Sequence, residues 1–124
     1  MELRFFKCAK CGQMVLAVKK KGCDFYCCGQ PMEELNAGTT DASLEKHVPA
    51  VEVEGSTVNV TVGSVEHPML EAHYIEFIAI QTKYGCQMKK LVPGASPKAS
   101  FVLAEGDELE AVFEHCNLHG LWKA

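Results

Sequence analysis

Long apolar runs are missing from this 124-residue chain: none approaches the ~18 to 20 residues that a membrane-spanning helix needs. The opening stretch, MELRFFKCAKCG, lacks a basic segment followed by a long apolar one. It does not read as a signal peptide, and a cytoplasmic location is the expectation. Excess positive charge is missing too. The 12 Lys and Arg face 16 Asp and Glu, for a net charge of -4, which argues against a general nucleic-acid binder. There is no internal repeat, no low-complexity segment and no sustained helical periodicity. With 48% hydrophobic and 23% charged residues, what remains is one ordinary globular domain, or one small domain plus a tiny one.

Cysteine, by contrast, is abundant. There are 7, an odd number, and those at positions 8, 11, 23, 27 and 28 crowd the first thirty residues. Clustered cysteines in a cytosolic chain point to metal rather than disulfides. All 5 histidines lie after residue 46, away from that cluster, which suggests two sites of different chemistry. Cys8 and Cys11 form a C-x-x-C knuckle, and Cys27 and Cys28 supply a second pair of thiolates. Four thiolates suit tetrahedral zinc or iron, and spacing alone does not choose between them. Neighbouring side chains on an extended segment face apart, so the adjacent pair requires a strained backbone or a distorted tetrahedron. A unit of 36 residues buries too little apolar surface to fold alone, so the metal contributes folding energy. Cys23 is read as a bystander.

Residues 36–43, NAGTTDAS, read as a linker between a domain at 1–36 and another at 37–124. Beyond it the pattern has period two. In VEVEGSTVNVTVG, alternating valines on either side of Gly55-Ser56 predict a β-hairpin with one buried face. Strands are expected at 73–82, in CQMKKLV, in ASFVLA and in LEAVFEHC, together an antiparallel β-sandwich. His47, His67 and His73 fall at strand ends and loops, and Cys116 and His119 in a loop after the last strand. Such positions display functional groups on a rigid scaffold.

The segments CAKC, CCGQPM, EKHVP, GSVEHPM, HYIEFI and HCNLHGLW, in that order, resemble the two-iron superoxide reductases called desulfoferrodoxins. The resemblance covers essentially the whole chain. It implies a desulforedoxin-like (rubredoxin-like) metal-stapled N-terminal domain and a neelaredoxin-like, seven-stranded immunoglobulin-like β-sandwich, all-β throughout. It also implies two irons per chain. Cys8, Cys11, Cys27 and Cys28 would hold the first, which decides for iron over zinc. His47, His67, His73 and His119 would hold the second, with Cys116 as axial ligand. The implied reaction is one-electron reduction of superoxide to hydrogen peroxide, with a rubredoxin-like donor, and a homodimer is suggested. Lys46 would attract the anionic substrate, and Glu45 would take the sixth position of ferric iron. The competing classes are a superoxide dismutase and a non-enzymatic iron electron carrier. His115 is expected to face away from the metal, Cys86 to be a buried thiol, and Trp122 to belong to the core or to pack over the site.

Overall fold

A computed structural model describes residues 2–39 and 42–124. Thr40 and Asp41, within the linker, lie outside the described residues. The chain divides into two compact units, Met1–Asn36 and Ala37–Ala124.

The first unit is built from short strands: β1 (Arg4–Lys7), β2 (Met14–Ala17), β3 (Tyr26–Cys27), β4 (Gln30–Pro31) and β5 (Glu33–Glu34). β1 lies between β2 and β5, and β3 pairs with β4, all antiparallel. One cluster of its buried residues is Phe6, Cys8 and Met32, with Val15, Ala17, Phe25 and Cys27 packed against them, and Leu3 and Phe5 are buried too. The Phe6 and Phe25 rings meet edge to face at 5.0 Å.

The second unit begins with α1 (Leu44–His47), a single helical turn. Pro49 ends it, because a residue before proline is pushed out of the helical region, and Val48 sits at φ -70°, ψ 121°. Seven strands follow: β6 (Pro49–Glu54), β7 (Thr57–Val62), β8 (Ile75–Thr82), β9 (Gly85–Lys90), β10 (Lys98–Val102), β11 (Leu109–Cys116) and β12 (Gly120–Lys123). They form two antiparallel sheets, β10-β7-β6 and β12-β11-β8-β9. Hairpins pair β6 with β7, β8 with β9 and β11 with β12, and the β7–β8, β9–β10 and β10–β11 connections cross between the sheets, as in an immunoglobulin-like sandwich. Val58, Val60 and Val62 of β7 interlock with Ile78 and Ile80 of β8, Phe101 of β10 and Val112 of β11.

Four expectations need correction. The hairpin at Gly55-Ser56 forms in the expected register, but only β7 has a buried face. Val51 and Val53 on β6 are 36% and 52% exposed, because β6 is the edge of a three-stranded sheet. Cys86 on β9, also an edge strand, is exposed rather than buried. EKH sits on a helical turn, too short to leave a periodic signal. Finally, HCNLHG is not a terminal loop: Cys116 ends β11 and pairs with Gly120 of β12, so the motif is a hairpin turn.

Candidate metal centres

In the first unit, the β1–β2 hairpin closes over the CAKC loop. The Cys8 N–H donates to Gln13 O at 2.8 Å and the Gly12 N–H to Cys8 O at 2.9 Å. Cys27 ends β3 and pairs with Gln30, which leaves Cys28 and Gly29 as a two-residue turn. Their φ angles are 52° and 73°. Both central residues of this tight hairpin turn thus have positive φ, a conformation that usually selects Asn-Gly or Gly-Gly. Cys28 is the one non-glycine residue with positive φ among the described residues. This left-handed kink is how adjacent cysteines come to share one site.

The Cys11 and Cys27 sulfurs are 3.6 Å apart and those of Cys27 and Cys28 4.0 Å. These are not disulfide distances. They bracket the ~3.8 Å edge of a tetrahedron whose centre lies ~2.3 Å from each sulfur. The thiols are also electrostatically unequal. Cys8 is held down to about 6, chiefly by the Cys11 N–H. Cys27 is pushed up to about 12, first by its hydrogen bonds to the Cys11 and Cys8 sulfurs and then by burial. The Cys8 thiolate forms easily while those of Cys27 and Cys28 resist, so a full set of thiolates needs a cation at its centre. The chemistry of the donor set and the spacing both fit a tetrahedral metal.

In the second unit the donors converge from one end of the sandwich: α1 ahead of β6, the β7–β8 connection, and the β11–β12 turn. One donor atom each from His47, His67, His73, Cys116 and His119 lies within 4.8 Å of all the others. The four rings form a closed cycle. His47 meets His67 at 4.7 Å, His67 meets His73 at 4.7 Å, His73 meets His119 at 5.1 Å, and His119 meets His47 at 4.9 Å. Each ring stands edge-on to its neighbours, at 75° to 90°. The Cys116 sulfur lies 3.8 Å from His119 Nδ1.

Hydrogen bonds fix which nitrogens face inward. The Nδ1–H of His47 donates to Ser43 O and that of His67 to Pro68 O, both at 2.7 Å. A carbonyl can only accept, so both Nε2 atoms carry bare lone pairs. Yet those two Nε2 atoms are 3.2 Å apart, and His47 Nε2 is 3.1 Å from His119 Nδ1. Facing lone pairs at such distances repel unless a cation lies between them. The separations also match neighbouring donors ~2.1 Å from a shared ion. Burial depresses His47 and His73 and brings His67 down to about 4, so these imidazoles are neutral ligands at pH 7. Burial raises the Cys116 thiol, while the main-chain N–H groups of Leu118 and His119 pull it back down.

The site also has walls, of which the sequence suggested only Trp122. Trp122, 1% exposed, stacks on His47 at 4.9 Å and 28°, and its Nε1–H donates to His119 O at 3.0 Å. Glu114, fully buried, lies two residues before Cys116 on the same face of β11, and among the described residues neither carboxyl oxygen has a hydrogen-bond partner. Burial pushes it up to about 9, so it is a neutral acid at pH 7. Strand spacing of two from the thiolate was the one signal that could have marked it. The β8–β11 register shifts between His115 and Cys116, where Glu76 is the extra residue. His115 is outside the donor group. Its Nδ1 lies 2.9 Å from Glu76 Oε1, and its ring stacks on Phe77.

Glu45 and Lys46 are not among the five donors. Glu45 is exposed on α1, and Lys46 is half-buried. The Lys46 charge, after burial and the neighbouring histidines, further disfavours protonation of His47 and His73, which places that charge beside the ring of imidazoles.

The Desulfoferrodoxin family profile matches residues 39–124. The chain belongs to the desulfoferrodoxin family. It is 43% identical over 123 residues to the desulfoferrodoxin of Nitratidesulfovibrio vulgaris, covering 99% of this chain and 96% of that one. It is 44% identical over 122 residues to a desulfoferrodoxin homolog of Archaeoglobus fulgidus, covering 98% and 96%. The solved superoxide reductase from Treponema pallidum superposes with a TM-score of 0.84 at 37% identity, covering 100% of this chain and 99% of that chain. The superoxide reductase (1Fe-SOR) from Giardia intestinalis covers 64% of this chain and 95% of its own, with a TM-score of 0.54 at 35% identity. The two donor sets fit the two iron sites of such a desulfoferrodoxin.

Proposed function

We propose that this desulfoferrodoxin is a superoxide reductase. It converts superoxide, one electron and two protons into hydrogen peroxide. The observation that carries this reading is the closed cycle of four imidazoles with one thiolate beside it. Iron held by these five donors would supply the electron to the substrate.

The residues around it have separable tasks. Four neutral imidazoles leave the charge of a ferrous ion unchanged, and the Cys116 thiolate lowers it to a net +1. The Leu118 and His119 N–H groups hold negative charge on that sulfur and temper its donation. His47 and His67 are buried, whereas His73 and His119 are half-exposed, so solvent and substrate approach on the His73–His119 side. Lys46 beside that ring supplies the local positive charge that a chain of net charge -4 needs to draw in an anion. Glu45, one residue away on the same turn, is the carboxylate suited to the ferric ion, a harder acid than the ferrous one. Cys8, Cys11, Cys27 and Cys28 would hold the other iron, in the first unit. A rubredoxin-like donor returns the electron, and the protein works in the cytoplasm as a homodimer. Among the described residues, no helix is long and apolar enough to cross a membrane.

Metal analysis with a visible spectrum tests the assignment. Two irons per chain are expected, with distinct thiolate-to-iron bands from the two centres. A fully metallated protein with one iron, or with zinc at the imidazole site, would contradict it.

A further inference from the structure

The four imidazoles are not held in the same way. His47 and His67 are oriented by their own Nδ1–H groups, each donating to a backbone carbonyl. Among the described residues, His73 has no such ring hydrogen bond; its backbone is held instead. The His73 N–H donates to Leu70 O at 3.0 Å, and His73 O accepts from the Leu70 N–H at 2.9 Å.

The peptides on either side are gripped by a single side chain. Asn117 Oδ1 accepts from the Tyr74 N–H at 2.9 Å, and Asn117 Nδ2 donates to Ala72 O at 3.1 Å. The Asn117 N–H also donates to Tyr74 O at 3.1 Å. This residue follows Cys116 directly and stands two before His119. A carboxamide accepts at its oxygen and donates at its nitrogen, so it can grip both peptides with separate atoms; an aspartate at neutral pH keeps the acceptor and loses the donor.

We propose that Asn117 is a positioning residue that sets the His73 imidazole in the ring of four and ties its place to the Cys116–His119 turn. The thiolate and the most remotely anchored imidazole are thereby held in one frame. Partners behind a metal ligand commonly matter 10–100-fold for metal affinity or activity. The proposal rests on reading the five donors as an iron site.

The test compares Asn117→Ala and Asn117→Asp with Gln87→Ala. Gln87 also donates from a side-chain amide to a carbonyl, Val102 O at 3.0 Å, but on β9. Each full-length protein is loaded with iron. Iron retention against a chelator and the position of the Cys116 thiolate band are then read. Asn117→Ala should lose iron from this centre about 10–100-fold more readily and shift the band. Asn117→Asp should fall between it and the wild type, and Gln87→Ala should match the wild type in both. Wild-type band and retention in both Asn117 variants would overturn the proposal, even if both melt earlier. Should Asn117→Ala not fold, Asn117→Asp decides on the same two readouts. A wild-type protein that never takes up iron at this centre would instead overturn the reading of the site itself.

Discussion

Cys116 is the only anionic donor in the second centre, and its replacement is the most damaging single change at that site. Serine at this position keeps the size but stays a neutral, weak donor at pH 7, so the net charge at a ferrous ion would rise from +1 to +2. Cys116→Ser should abolish the thiolate-to-iron band of this centre while the four-cysteine bands persist, and superoxide reduction should fall by orders of magnitude. His115→Ala, next door, should leave that band in place, because the His115 ring stacks on Phe77 outside the donor group. Oxidised spectra and pulse radiolysis of the two variants check this. Glu114 yields a pH prediction. Burial holds its carboxyl up to about 9 in the folded protein, above the ordinary 4.5, so between those values the folded state binds the proton that the unfolded state has lost. Stability therefore falls as pH rises across that window, by up to about 1.4 kcal/mol per pH unit. Glu114→Gln should remove the decline, and thermal melts of both proteins from pH 6 to 8.5 would show parallel curves if it does not. At this scale the sequence revealed the donors, because Cys and His have few other reasons to cluster. It did not reveal Glu114 or Asn117, and it left Trp122 between the core and the site, because these roles depend on strand parity and on turns that bring distant residues together.

At the scale of elements, α1 is held through its backbone. Its Glu45 carbonyl accepts from the Val65 N–H at 2.9 Å and the Ser64 hydroxyl at 3.2 Å. Gly63 lies directly against it: a Cβ there would sit 2.6 Å from Glu45 O and 2.9 Å from Val48 O. Both obstacles are backbone, so the helical turn itself would have to move. Gly63→Ala should cost about 1–3 kcal/mol. It should also slow the encounter with superoxide, since Lys46 and His47 ride on the displaced turn. Stopped-flow rates and denaturant midpoints check it, and an unchanged rate would mean that α1 does not set the mouth of the site. The strands were legible where both local pattern and burial agree, as in β7. They were misread where position in the sheet decides. β6 carries the alternation of a buried strand but lies at an edge, and the four residues of β12 were too few to declare themselves after the turn. The left-handed turn at Cys28-Gly29 answers the question raised by adjacent cysteines: the strain expected from their spacing is present in the backbone.

At the scale of the whole chain, the separation of cysteines from histidines along the sequence corresponds to two compact units with one donor set each. No donor of either set comes from the other unit. The central claim is that the second unit reduces superoxide and does not dismutate it, and that this chemistry belongs to the centre of four imidazoles and one thiolate. The most direct measurement loads the protein and Cys28→Ser with ferrous iron and exposes both to a pulse of superoxide without any donor. Hydrogen peroxide and oxygen are then quantified. Both proteins should consume about one superoxide per ferrous second centre and release peroxide with no oxygen from the substrate, although Cys28→Ser lacks an intact first centre. Oxygen formed at half the superoxide consumed, with turnover continuing past one equivalent, would make the protein a dismutase. A Cys28→Ser protein that retains its second iron but does not react would place the chemistry, or an indispensable part of it, at the first.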